Sequence, residues 1–200
     1  MEAILHGIIL AFGLILPLGV QNVFVFSQGA TQPKLLRAFP ATITAGLCDT
    51  LLILLAVFGL SAIVLQFEWL RISLLSAGIL FLLYMGYAIW RSSPTTSETN
   101  KALPIRQQII FALSVSLLNP HAILDIVGVI GTSALKYVGT EQILFTVSCI
   151  FVSWIWFFGL MLAGAVMKRL DGTGVLMKVF NKCSAIFIWG TAIYLLVGLI

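Results

Sequence analysis

The chain has 200 residues, of which 60% are hydrophobic and 9% charged, and its mean hydropathy is +1.12. A soluble domain carries roughly 25% charged residues, so this chain cannot coat a water-facing surface. The composition excludes a soluble enzyme, a disordered chain and a disulfide-rich secreted module. Lipid cannot hydrogen-bond open backbone, which leaves helices or closed barrels. A barrel strand would alternate apolar and polar residues over about ten positions, whereas the apolar runs here are long and continuous. The expectation is an all-α integral membrane protein with a single transmembrane domain over residues 1–200.

A spanning helix needs about 20 apolar residues. Charged and turn residues cut the chain into six apolar stretches, at roughly 3–26, 39–65, 70–90, 108–132, 142–166 and 180–200. The first span does not read as a cleavable signal, because it carries Glu2 instead of a basic leader and its apolar run is too long. Its connector, from Ser27 to Lys34, has turn chemistry. The second connector, around Gln66-Phe67-Glu68-Trp69, is very short. The third, from Arg91 to Lys101, is the longest polar stretch and reads as a flexible linker. It divides the chain into repeat one (about 1–90) and repeat two (about 107–200), joined by a linker over about 91–106. Three spans is an odd number, so the two halves must have opposite orientation. That is the inverted-repeat plan of secondary transporters.

Basic residues sort by side. Lys34, Arg37, Arg91, Lys101, Arg106, Lys168, Arg169, Lys178 and Lys182 lie in or beside odd-numbered connectors, and only Arg71 and Lys136 lie on the other side. Nine against two puts the odd connectors in the cytoplasm and both termini outside it. The net charge of +4 therefore marks loops and gives no reason to expect nucleic acid. Trp69 and Trp90 sit where an aromatic interface belt would. Cys48, Cys149 and Cys183 form no CxxC motif and no metal spacing, so they read as packing residues, with no metal and no cofactor expected.

Two prolines interrupt hydrophobic spans at matching places. Pro17 lies in Leu16-Pro17-Leu18-Gly19-Val20-Gln21-Asn22 of span one, and Pro120 in Asn119-Pro120-His121-Ala122-Ile123-Leu124-Asp125 of span four. Each is followed five residues later by a polar side chain, Asn22 or Asp125. Proline removes an amide donor and clashes with the preceding turn. Asn119-Pro120 also has the form of an N-cap followed by proline at the first helical position. A half-helix starting near residue 120 would present free N–H groups at mid-membrane and suit a carboxylate. Pro17 could start another, although Leu16 is a poor cap and Gly19 weakens the case. An ordinary kink explains a single proline. Two at corresponding places with polar neighbours favour a site.

Asp49 and Asp125 lie inside apolar spans without a basic residue in the same span. Each costs roughly 2.5–3.5 kcal/mol at the centre of an inserted helix, which makes it a functional candidate by default. Water-poor surroundings favour a neutral carboxyl and a bound cation favours the ionised one. Such a site could exchange a proton for a cationic substrate. A protonated acid bonded to a neighbouring helix is the bland alternative. His121 lies four residues before Asp125 and could tune it or pass a proton, or simply donate to a carbonyl. Gln21 and Asn22 could supply amide contacts or interhelical bonds. Ser114, Ser116, Ser148 and Ser153 read as packing residues.

These residues carry a family resemblance. Leu16 to Val25 with Gln28-Gly29, Leu118 to Asp125, Asp49, and Ser153 to Leu160 resemble motifs in four spans of the lysine/arginine exporter (LysE) family. Val20 stands where many members carry a second proline, which makes unwinding of span one a weaker expectation than that of span four. The resemblance covers essentially the whole chain. It implies a bacterial inner-membrane exporter of amino acids, most simply lysine or arginine, since the branch with Asn-Pro-His and an acid at 125 is associated with basic substrates. Expected partners are the amino acid, protons and the lipid bilayer. The absence of a Walker motif excludes ATP as the direct energy source, so proton antiport is expected. Export of neutral amino acids or other small metabolites stays open. So do two readings from other classes, a cation channel and a membrane thiol oxidoreductase using Cys48 and Cys149. A homodimer is also open, because no GxxxG pair occurs and small-xxx-small pairs such as Gly159 and Ala163 are common.

Overall fold

The computed structural model describes residues 1–16, 19–60, 68–91, 102–119, 122–123, 125–170 and 175–197. Regular structure among them is entirely helical. In chain order the helices are α1 (Glu2–Ile15), α2 (Val20–Thr31), α3 (Phe39–Leu55), α4 (Glu68–Arg91), α5 (Ile105–Leu117), α6 (Asp125–Ala134), α7 (Thr140–Leu170) and α8 (Val175–Val197). A 3₁₀ turn at Leu35–Arg37 precedes α3, and a π-helical segment, Ala56–Leu60, extends it. Most of α6 is also π-helical, over Asp125–Gly131. The two π segments pack against each other.

Length decides which helices cross alone. Among the described residues, Phe39–Gly59 and Thr140–Leu170 are each long and apolar enough to cross a membrane. The 31 residues of α7 extend about 46 Å at 1.5 Å per residue, beyond a hydrocarbon core of about 30 Å. α1 and α2, with 14 and 12 residues, are each too short and qualify only as a pair. Their axes bend by 79° at the break. The break lies where span one was expected to be interrupted, although Pro17 itself lies outside the described residues. The second half-helix is α2. It begins at Val20, with extended Gly19 (φ −67°, ψ 171°) as its N-cap.

Span four is divided in the same way. α5 ends at Leu117, Leu118 leaves helical geometry, and a new turn starts at Asn119, whose carbonyl accepts the Ile123 N–H at 3.1 Å. This is the N-cap position expected from the sequence. The cap is made by the backbone alone, because Asn119 Oδ1 has no hydrogen-bond partner. Pro120 and His121 lie outside the described residues, as do residues 92–101 of the expected linker.

α2 is the innermost element, with nine of its twelve residues buried. It packs most extensively on α7 and also touches α3, α4, α5 and α8. Small residues permit the closest approach: a Cβ on Gly29 would collide with the Met161 carbonyl, and one on Gly164 with the Phe26 carbonyl. α1 rests on the same helix, where a Cβ on Gly7 would lie 2.8 Å from the Phe145 carbonyl oxygen. Close backbone approach of this kind stabilises helix pairs in lipid, where burial of apolar surface from water is not available. Gly159, singled out earlier with Ala163, meets nothing within 4 Å and faces outward.

The partner choices mirror one another. α1 and α2 pack on α7, the first unbroken helix of the second half. α5 and α6 pack on α3, the first unbroken helix of the first half. α4 pairs with α8, the last helix of each half, and α3 contacts α7.

At the end rich in Lys and Arg, side chains tie the connectors together. Gln32 and Gln108 both donate to the Leu103 carbonyl, and Gln108 also donates to that of Arg37. Lys168 donates to the Gln32 carbonyl at 2.7 Å, at the C-terminus of α2 where a cation suits the helix dipole. Lys182 lies over the Trp90 ring, 3.6 Å from its centroid.

Candidate functional site

The two breaks and the two intramembrane acids meet at one cavity. It encloses roughly 770 Å³ with its open mouth included, and its walls are largely apolar. The polar groups on it are Gln21 and Asn22 of α2, Asp49 of α3, Asn119 at the second break, Asp125 of α6, Ser153 of α7 and Thr191 of α8. Gly19 also lines it. A few polar groups on an apolar wall is the usual make-up of a small-molecule site.

Asp49 is 6% exposed, and Gln21 Nε2 donates to its Oδ1 at 3.1 Å. Ser153 stands within hydrogen-bonding reach of the same carboxyl. Helices α2, α3 and α7 therefore converge on one acid. The register of α3 against α7 is fixed one residue further along each helix. Trp154 Nε1 donates to Thr50 Oγ1 at 3.1 Å, and the Trp154 ring lies 3.0 Å from where a Cβ on Gly46 would sit. A larger residue at 46 would displace the ring and, with it, Ser153 from Asp49.

Asn22 has a different task from the one expected of a ligand-binding amide. Its Nδ2 donates to the Ile15 carbonyl at 2.8 Å, back across the first break. The last carbonyls of a helix have no acceptor-matched N–H within the helix. Asn22 satisfies one of them and so holds the broken ends together, while still lining the cavity.

Asp125 begins the π-helical part of α6 and is half-buried at the cavity wall. π-segments occur often at functional positions. His121 lies outside the described residues. Six of the positions expected from the sequence, Gly19, Gln21, Asn22, Asp49, Asn119 and Asp125, are brought to the cavity. Ser153 was read as packing, yet it faces Asp49. The other serines match that reading better: Ser114 and Ser148 donate back to carbonyls of their own helices. Thr191 was missed altogether, since a threonine on an apolar helix carries no signal until the helix is packed. The described residues contain no group of three or more His, Cys, Asp or Glu able to hold a metal ion.

A model of the LysE type translocator family matches residues 12–199. The chain belongs to the LysE family. It is 54% identical over 200 residues to YisU of Bacillus subtilis (strain 168), provisionally named an amino-acid transporter, covering 100% of this chain and 91% of that one. It is 30% identical to the arginine exporter protein ArgO of Klebsiella pneumoniae (strain 342), over 95% of this chain and 91% of the relative. The ArgO protein of Pectobacterium carotovorum (strain PC1) is 29% identical, over 96% and 95%. No solved structure matches the chain significantly. As a LysE member it is a multi-pass membrane protein and an amino-acid transporter, not an enzyme.

Proposed function

We propose that this LysE member exports basic amino acids from the cytoplasm across the bacterial inner membrane by proton antiport. The observation that carries the reading is that Asp49 and Asp125, one from each half of the chain, line a single cavity between two broken helices. A guanidinium or ammonium group suits two carboxyls on a largely apolar wall. Similarity to proteins named arginine exporters supports the same substrate class.

The energetics require a driving ion. A cation leaving an inside-negative cell opposes about 2.3 kcal/mol per 100 mV for each charge. Proton entry offsets that cost. An acid that releases its proton inward and then binds the cation couples the two flows, because both compete for the same oxygens. In this reading Asp49 and Asp125 hold the cationic group and carry the proton. Gln21 occupies Asp49 until substrate replaces it, and Ser153 keeps the carboxyl aimed at the cavity. His121 is the candidate for relaying the proton to Asp125.

The architecture proposed is six spans in two inverted repeats, with both termini outside. The mirrored partner choices of α1–α2 and α5–α6 support it. Alternating access then rocks one three-span half against the other around the midplane cavity.

The test is export of a panel of radiolabelled amino acids from loaded cells or vesicles. Lysine or arginine should leave with the wild type and not with Asp49→Asn or Asp125→Asn. Internal pH should fall as substrate exits. Basic amino-acid export that leaves internal pH unchanged would sink antiport, and a current without any amino acid would favour a channel.

A further inference from the structure

The cavity lies on one side of the breaks, and a sealed layer lies on the other. α7 gives the direction: Phe145 faces Gly7 of α1, and Lys168 binds the Gln32 carbonyl at the C-terminus of α2. Those two positions on α7 are about 34 Å apart at 1.5 Å per residue. α1 therefore occupies the end of the bundle that holds Met1, and α2 the end rich in Lys and Arg. From the breaks, the cavity lining runs along α1 to Ala11 and along α6 to Ile130, away from the basic end. On α2 it stops at Asn22, and among the described residues α5 contributes nothing to it.

The following turns of α2 close the way to the basic end. Phe24 packs on Phe111 of α5 with ring centroids 4.4 Å apart, and Phe26 stacks on Phe180 of α8 at 4.1 Å. Both α2 rings are buried. Both pairs join one half of the chain to the other. Beneath the rings lie Gln28, Gln32 and Gln108, also buried. Gln32 Nε2 donates to Gln28 Oε1 at 3.1 Å and to the Leu103 carbonyl at 3.0 Å. Gln108 Nε2 donates to that same carbonyl at 2.8 Å and to the Arg37 carbonyl at 2.9 Å. These bonds tie α2 and the turn after it to the start of α5. Glutamine is mostly exposed in folded proteins, so three in one buried layer call for a reason. Gln108 Oε1 has no hydrogen-bond partner among the described residues. Water reaching that layer would satisfy it, which lowers the cost of parting the two sides.

We infer that the two phenylalanine pairs and the glutamine latch beneath them form the cytoplasmic gate of the transport path. The gate is shut in this structure, and the cavity extends toward the opposite face. The inference rests on the transport reading of the cavity and on the proposed topology. Rocking one half against the other parts α2 from α5 and α8, separates the rings, wets the glutamines and admits substrate from the cytoplasm.

The experiment uses the protein with Cys48, Cys149 and Cys183 replaced by serine. In that background, Phe26→Cys/Phe180→Cys is treated with a short bifunctional methanethiosulfonate. Cross-linking should abolish radiolabelled L-arginine export from cells, and a reductant should restore it. The cross-linked protein should still bind L-arginine, because the cavity extends toward the other face. A second readout needs no substrate. Val115, one turn from Phe111 toward the break, is 1% exposed. A charged methanethiosulfonate added to inside-out vesicles should label Val115→Cys slowly. Adding Phe111→Ala should speed that labelling at least about tenfold, since it removes a packed aromatic pair. Export that continues at the same rate after cross-linking would overturn the gate, as would labelling that Phe111→Ala leaves unchanged. Faster labelling in whole cells and not in inside-out vesicles would overturn its placement on the cytoplasmic side. If the protein moves no L-arginine, the basic-substrate reading fails, and the labelling comparison still decides the gate.

Discussion

Asn22 Nδ2 donates to the Ile15 carbonyl at 2.8 Å, seven residues back and across the break between α1 and α2. A broken helix inside a membrane exposes carbonyls that lipid cannot satisfy. The chain supplies the missing donor from the first turn of the next half-helix, so the break carries its own repair. Asn22→Ala should cost about 1–3 kcal/mol by leaving the carbonyl unpaired. Asn22→Asp should cost at least as much, since a carboxylate cannot donate. Thermal unfolding in detergent measures both, and unchanged melting of both variants would rule out the staple.

Gln21 and Asp49 should be energetically coupled. Their bond joins α2 to α3 at 3.1 Å inside a water-poor site. A double-mutant cycle with Gln21→Ala and Asp49→Ala, read by thermal unfolding, should give a coupling of about 0.5–1.5 kcal/mol. The transport readout should differ from the stability readout. Asp49→Asn should abolish basic amino-acid export, whereas Gln21→Ala should change its KM more than its maximal rate. Strictly additive stabilities would show that the contact contributes nothing.

Glycines of this chain should divide by what their missing Cβ would meet. Gly29→Ala and Gly164→Ala drive a methyl into the carbonyls of Met161 and Phe26, so each should destabilise by at least about 1–3 kcal/mol through forced separation of α2 and α7. Gly13→Ala and Gly159→Ala meet nothing within 4 Å and should stabilise their helices by up to about 1 kcal/mol. Expression level and melting temperature of the four variants decide it. Similar behaviour of both pairs would argue against the close α2–α7 packing.

Cysteine chemistry should be dispensable. Cys48 and Cys149 are buried, and the Cys149 thiol donates to the Gly7 carbonyl at 3.5 Å, a contact a serine hydroxyl can replace. Cells expressing Cys48→Ser/Cys149→Ser should export the substrate at a rate within about twofold of wild type. Complete loss with normal expression would revive the thiol oxidoreductase reading.

Orientation can be tested once the exposed Cys183 is also replaced by serine in that double variant. Leu135, between α6 and α7, is 71% exposed, and Leu170, at the C-terminal end of α7, is 72% exposed. A membrane-impermeant thiol reagent added to whole cells should label Leu135→Cys and spare Leu170→Cys. The reverse pattern would invert the proposed topology.

The sequence by itself determined the solvent of this protein. Scarcity of charge and long apolar runs specify helices in lipid, because both are properties of local composition. It also located the interruptions, since a proline within a long apolar run removes a backbone donor and clashes with the preceding turn however the run packs, and it singled out Asp49 and Asp125 by the cost of burying an acid. Tertiary structure decided the partners. Asp49 meets Gln21, 28 residues away, and Trp154 meets Thr50 across 104 residues. Such pairings depend on which helix faces which, and no local pattern encodes that. The same reason separates Asn22, which repairs a break, from Asn119, whose Oδ1 is left without a partner at the cavity. Both are asparagines next to an interrupted helix, and only the packing of α2 against its neighbours tells them apart.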